Sequence, residues 1–301
     1  MKPLTTSQAL AALATTPAPQ PLDFLVIGHI TKDLQEEGFT IGGTVTYSSL
    51  TARNLGLRTG IVTSAAPNLD GSEFLAGIDV LRLPSPVTTT FQNLYPDGIR
   101  VQFIRAVARE IHPKDIPPAW RRARIVHLGP LAQELTSDMV EIFEGSLIGV
   151  TPQGWMRRWD EEGRVYPKVW EGAAEVLARA EVLVFSEEDV AGDAEIIEAY
   201  ARLARIMVVT RGRQGADLYY RGERRHFPAF VAREVDPTGA GDVFAAAFLV
   251  RLYETGDPYQ ATHFANCVAS FCVEAPGIYG IPTREQVEER LAHGRLRCRE
   301  T

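Results

Sequence analysis

The segment Asp236-Pro237-Thr238-Gly239-Ala240-Gly241-Asp242-Val243-Phe244 holds the most informative chemistry in the chain. Small residues at 239–241 let the backbone turn tightly and leave several N–H groups pointing outward. The apolar stretch that follows predicts a helix over 241–253. Those N–H groups then sit at a helix N-terminus, where the dipole favours an anion. Asp242 would place a carboxylate beside this nest. The pairing suits phosphoryl transfer: the nest holds the moving group, and the carboxylate accepts the proton of an attacking hydroxyl. The same residues also describe a Gly-rich turn in which Asp242 caps a helix. A second glycine-rich turn, Arg211-Gly212-Arg213-Gln214-Gly215, follows a predicted strand over 206–210. Strand ends of a parallel sheet are where ligands bind, although a surface turn has the same composition. The sequence has no GxxxxGK[ST], and position 244 is Phe, so neither the P-loop nor GxGxxG is present.

Alternating strands and helices must position these turns. Short apolar runs predict strands at 24–27, 61–63, 80–83, 125–128, 148–151, 182–185 and 206–210. Helical character falls at 47–55, 168–179, 194–205, 241–253, 259–273 and 284–293. Segments 216–220 and 225–228 read as an antiparallel pair at a sheet edge. Residues 88–95 and 99–104 flank Pro96-Asp97-Gly98 and are rich in β-branched and aromatic side chains, a hairpin signal. A hairpin within an α/β pattern predicts a small flap on the main sheet.

Composition narrows the function. The 301 residues are 45% hydrophobic and 23% charged, an ordinary globular balance with length for a large core. The formal charge of −7 argues against a nucleic-acid or anionic-membrane binder. No apolar run reaches the ~18 residues of a membrane span. Residues 1–22 read as a loose leader whose apolar stretch is interrupted by Gln8, Thr15 and Thr16, unlike a signal peptide. Cys267, Cys272 and Cys298 form no CxxC and predict reduced thiols in a cytoplasmic protein, with the first two as core filler on one helix.

The 236–242 segment, with Phe244 and Ala245-Ala246-Ala247, resembles the C-terminal signature of the ribokinase-like (PfkB) carbohydrate kinases. Further features agree in order from about residue 23 to 290. The resemblance implies one three-layer α/β/α domain over 23–301, with a mostly parallel sheet and a small β-lid from parts of 31–46 and 86–109. It implies ATP as phosphoryl donor, Mg²⁺ held largely through water, and K⁺ in some members. Asp242 would be the catalytic base, and the N–H groups of Gly239, Ala240 and Gly241 the anion hole. Asp33, Gly42, Gly43, Tyr47 and Asn93 would meet the substrate. Thr210, Gly212, Gly215, Asn266 and Gly277 would form the nucleotide site, with Asp236 at a monovalent cation. The implied partner is a small sugar or cyclitol, with no nucleic acid or membrane; a homodimer is allowed.

Two positions depart from the family pattern. Ser186 and Asp189, with Glu187 and Glu188 between them, stand where an Asn and a Glu usually order the Mg²⁺ shell. Tyr47 replaces the Asn that usually follows the di-glycine. The segments 42–47 and 152–157 resemble the inositol-kinase-like branch. A nucleoside kinase of the same fold and a non-catalytic sugar- or nucleotide-binding sensor are the alternatives. Among other residues, Arg100, Arg105 and Arg109 read as solvated lid residues. His29 fits either a packed or a substrate-facing role. Arg157 and Arg158 read as a solvated helix start, and Glu171 and Glu175 as surface without evident partners.

Overall fold

The computed structural model describes residues 21–69, 73–94 and 101–298. The expected leader, apart from its last two residues, and the Pro96-Asp97-Gly98 turn lie outside them. Leu22, assigned to that leader from sequence, is buried beside Gly60, so the folded core begins there rather than at Asp23.

Chain order runs β1 (Phe24–Ile27), β2 (Thr31–Leu34), β3 (Phe39–Gly42), α1 (Thr44–Asn54), β4 (Thr59–Ala65), β5 (Asp79–Pro84), β6 (Thr89–Leu94) and β7 (Val101–Ala106). It continues with β8 (Ile125–Leu128), β9 (Leu147–Val150), β10 (Arg157–Trp159), β11 (Val165–Pro167), α2 (Ala173–Arg179), β12 (Val182–Ser186), α3 (Ala194–Leu203) and β13 (Ile206–Thr210). The last elements are β14 (Ala216–Tyr220), β15 (Glu223–Phe227), α4 (Ala240–Thr255), α5 (Pro258–Cys272) and α6 (Arg284–His293).

The main sheet has nine strands in the order β15-β14-β13-β12-β9-β8-β1-β4-β5. All neighbours are parallel except the β13-β14 and β14-β15 pairs, which form the expected antiparallel edge. Apolar side chains alternate between its faces. Phe24 and Val26 pack with Ala245, Phe248 and Cys267 beneath α1, α4 and α5. Leu25 and Ile27 join the other core with Val176, Ile197 and Tyr200 of α2 and α3. This is the three-layer arrangement expected from the sequence. A four-stranded sheet, β3-β2-β6-β7, forms the expected lid. Its β2-β3 half is inserted between β1 and α1 and its β6-β7 half between β5 and β8, so the lid is rooted in the strands of the main sheet. No helix among the described residues is long and apolar enough to cross a membrane.

Two local expectations fail for physical reasons. The 168–179 helix starts only at Ala173. Lys168 N–H donates to Met156 O at 2.9 Å, and Trp170 is buried against Trp155 with ring centroids 5.1 Å apart. Tertiary contacts thus hold residues 168–170 extended. Arg157 and Arg158 belong to a short hairpin, β10 paired with β11, and not to a helix start.

The site elements depend on how closely α4 lies on the sheet. A Cβ on Gly149 of β9 would come within 2.4 Å of Leu249 Cδ2. Gly149→Ala should therefore cost ~1–3 kcal/mol through overpacking. Adding Leu249→Val should recover part of the loss in denaturant unfolding; equal stabilities for wild type and single variant would contradict this packing.

Candidate active site

Two helices begin at one point. α1 starts at Gly43 with φ 92°, a left-handed conformation suited to glycine. A Cβ there would lie 2.4 Å from His29 O, and one on Gly42 would lie 2.2 Å from Asp33 Oδ2. The di-glycine thus lets α1 begin directly against β2 and the Asp33 carboxylate. α4 starts at Gly239, with φ 77°. A Cβ on this residue would sit 2.3 Å from Cδ1 and Cε1 of Tyr47, so the turn rests on that ring. Ser48 Oγ donates to the Asp242 backbone oxygen at 3.2 Å, and the Thr44 hydroxyl donates to its carboxylate. Both helix N-termini therefore converge on Asp242.

The first four N–H groups of a helix lack intrahelical partners. Here they belong to Gly239, Ala240, Gly241 and Asp242. The Ala240 N–H turns back to Pro237 O at 3.2 Å, so Ala240 closes the turn instead of completing the anion hole expected of it. Gly239, Gly241 and Asp242 provide the remaining donors. A Cβ on Gly241 would meet nothing within 4 Å, which leaves the nest open to the cleft.

The cleft beneath the lid has a volume of about 610 Å³, the size of a small-molecule site. It brings together Asp33, Gly43, Tyr47 and Asn93 at one end, and Thr210, Gly212, Gly215 and Asn266 at the other. Ser186, Asp189 and the 239–242 nest lie between these groups. Gly42, Asp236 and Gly277 stand behind the wall. Asp236 Oδ1 accepts from Thr238 N–H at 2.9 Å and Oδ2 from Gly277 N–H at 2.8 Å, so this carboxylate clips the nest to the 277 loop. Burial pushes its pKa up, but the hydrogen bonds from Thr238 and Gly277 win and hold it below the usual range. Asn266 Nδ2 donates to Phe227 O at 3.1 Å and fixes the end of β15.

The acidic turn after β12 is ordered by its own residues. Asp189 Oδ2 accepts from Ser186 N–H at 3.0 Å, and Asp189 Oδ1 accepts from Gln153 Nε2 at 3.0 Å. Glu187 instead pairs with Arg211 at 2.7 Å. Glu188 and Asp189 line the cleft. Mg²⁺ keeps several waters and takes one or two carboxylates with phosphate oxygens. This donor set fits an ion held through water.

Some residues take roles not read from sequence. Arg157 of β10 lines the cleft, with its guanidinium 5.8 Å from the Phe91 ring of the lid. Its neighbours Trp155 and Trp159 are the one signal the sequence offers. Glu134, a buried carboxylate, accepts N–H bonds from His29, Leu131 and Ala132 at 2.7–3.0 Å and orders the floor loops. His29 is packed: its ring nitrogens meet Arg109 O at 2.9 Å and Thr89 Oγ1 at 2.7 Å. Arg105 bonds Gln92 and Glu162 O, and Arg109 pairs with Asp115. Arg100 lies outside the described residues. Glu175 accepts from Ser137 Oγ at 2.9 Å and is not partnerless. Tyr47 lines the cleft, yet its ring is occupied by Gly239, and burial raises its phenol pKa.

The model of the pfkB family carbohydrate kinases matches residues 167–284. The chain is 28% identical to the cytidine kinase of Thermococcus kodakarensis over 79% of this chain and 91% of that one. It is 27% identical to the inositol 3-kinase of Arabidopsis thaliana over 71% and 64%, respectively. A solved pyrophosphate-dependent kinase in the ribokinase family, complexed with a pyrophosphate analog and myo-inositol, superposes with a TM-score of 0.75. That likeness has 25% identity and covers 88% of this chain and 99% of the other.

Asp242 has the electrostatics of a base near neutrality. Burial, aided by Asp189 and Asp33, pushes its carboxyl up to about 6, while the Thr44 hydrogen bond and Arg157 oppose the shift. A base acts deprotonated, so turnover should fall as pH drops through about 6. Arg157→Met removes the opposing cation and should move that acidic limb to higher pH. A limb at an unperturbed carboxylate value, or one unmoved in Arg157→Met, would contradict this charge balance.

Proposed function

Starting from a chain that belongs to the ribokinase-like (PfkB) carbohydrate kinase family, we propose that it transfers the terminal phosphoryl group of ATP to a hydroxyl of a neutral cyclic polyol. An inositol-like cyclitol or a cyclic sugar fits this class. The observation that carries the proposal is the convergence of the open nest, Asp242 and Asp33 in one cleft. Asp33 accepts hydrogen bonds from ring hydroxyls. Asn93 and Gln102, joined by a 3.0 Å bond across the lid, add amide groups at the same end. The charges around Asp242 are those of Asp33, Asp189 and Arg157, and with Asp242 itself their formal sum of −2 suits a neutral ligand and opposes a phosphorylated one.

Asp242 takes the proton of the attacking hydroxyl, and the nest N–H groups stabilise the charge on the moving phosphoryl group. Glu188 and Asp189 would hold Mg²⁺, which would supply charge neutralisation on the donor phosphates. Beyond the nest the cleft continues past Asn266 along Ala229, Ala232, Ala269 and Val273, with Glu234, Ser270 and Arg297 also on its wall. A nucleoside would occupy this extension, whereas pyrophosphate would leave it empty. This supports ATP even though the solved relative with myo-inositol is pyrophosphate-dependent. The cytidine kinase likeness, over nine-tenths of that relative, favours a nucleoside acceptor as the second reading.

The roles separate kinetically. Asp242→Asn should lower kcat by ~10²–10⁴-fold with nucleotide affinity kept. Asp33→Ala should raise the acceptor KM at least ~10-fold, the scale of one charge-assisted bond. Near-normal kcat in the first variant removes Asp242 as the base; an unchanged KM in the second removes Asp33 from the acceptor site. Replacement of ATP by pyrophosphate should abolish turnover, and robust pyrophosphate use would overturn the donor assignment.

The acidic turn has its own readout. Asp189→Ala should raise the Mg²⁺ concentration needed for half-maximal rate, with little change in unfolding midpoint. Unchanged Mg²⁺ dependence in Asp189→Ala and Glu188→Ala would make this turn a solvated one.

A further inference from the structure

The strand β9 ends at Val150, and Thr151 follows it at the floor of the cleft. Behind Thr151 lies His127 of β8, a fully buried imidazole in the centre of the sheet. His127 Nε2 is 3.1 Å from Thr151 Oγ1. Its other nitrogen, Nδ1, has no hydrogen-bond partner, the sole such buried side-chain atom among the described residues. Burial holds the ring neutral, with its pKa pushed down to about 3.

A neutral imidazole has one N–H and one bare nitrogen. Two tautomers are therefore available, and the orphaned Nδ1 decides between them. If Nδ1 carried the proton, a buried N–H would be left unpaired, which folded proteins rarely tolerate. If Nε2 carries it, the orphan is a bare lone pair in a fully buried site, where the Phe24 ring packs edgewise with the imidazole at 6.3 Å between centroids. The second arrangement makes Nε2–H the donor and Thr151 Oγ1 the acceptor. The Thr151 hydroxyl hydrogen is then left for another acceptor, and Thr151 lines the cleft.

We propose that His127 fixes Thr151 as a hydrogen-bond donor to a phosphoryl oxygen of the ligand held in the cleft. Gln153, two residues on, already reaches Asp189, so this strand end faces the zone between the nest and the acidic turn. Thr151 is the contacting residue, and His127 is a positioning residue that acts through it. The identity of the ligand rests on the kinase reading above; the direction of the His127–Thr151 bond does not.

Two measurements separate these parts. In the ¹⁵N-labelled ligand-free protein, the side-chain nitrogen shifts of His127 should report protonated Nε2 and bare Nδ1 from pH 5 to 8. A protonated Nδ1 would overturn the proposal, whatever the protein phosphorylates. A non-hydrolysable ATP analogue, measured by calorimetry with Mg²⁺, should bind Thr151→Val about tenfold more weakly, the scale of a hydrogen bond to a charged group. Thr151→Ser should restore the affinity, which a purely structural role for the methyl group would not allow. Equal affinities for wild type and Thr151→Val, with the tautomer as stated, would overturn the phosphoryl contact.

Discussion

The contact between Gly239 and the Tyr47 ring is the constraint on which the cleft depends. It sets the distance between α1 and α4, whose N-termini carry Gly42-Gly43 and the 239–242 turn, respectively. A side chain at 239 would have to displace a buried ring, and a smaller residue at 47 would remove the surface on which the turn rests. Everything placed by either helix follows. Thr44 and Ser48 reach Asp242 from α1, Asp33 lies against Gly42, and Asp236 ties the nest to the 277 loop from behind. The replacement of a polar residue by Tyr47 therefore has a structural meaning before any substrate is considered.

The price of this convergence is electrostatic. Asp242 shares one partly buried space with Asp33 and Asp189, and burial first, then these two carboxylates, disfavour its ionisation. Arg157 and the Thr44 hydroxyl relieve part of that repulsion. The charges are arranged so that Asp242 is easily protonated, while the positive ends of two helices favour an anion in the same cleft. The buried Cys272 thiol, whose pKa burial pushes up to about 12, adds bulk beside Thr238 O without adding charge.

Much of the architecture was legible because it is local. Apolar runs marked the main strands, small residues followed by Asp242 marked the α4 start, and β-branched arms marked the lid. What escaped depends on partners distant in sequence. The three-residue strand β10 exists through β11 and carries no periodicity of its own, so Arg157 was taken for a solvated residue. Trp170 delays α2 by stacking on Trp155, an interaction that helical periodicity around 168–179 does not contain. Glu134 becomes an organiser only where three loop N–H groups meet it. At Tyr47 the residue was noticed, but its ring is used by Gly239. At Ala240 a hydrogen bond to Pro237 took an N–H that the motif assigned to the anion hole.

The central claim is that this cleft esterifies a ring hydroxyl of an uncharged polyol. ³¹P NMR of the protein with ATP and Mg²⁺ tests it directly, against myo-inositol, cyclic sugars, their monophosphates and cytidine in separate tubes. A new phosphomonoester resonance is expected with a neutral polyol, matched by ADP formation and absent with the monophosphates. A phosphomonoester formed on cytidine alone, or on a sugar monophosphate in preference to its parent sugar, would contradict it.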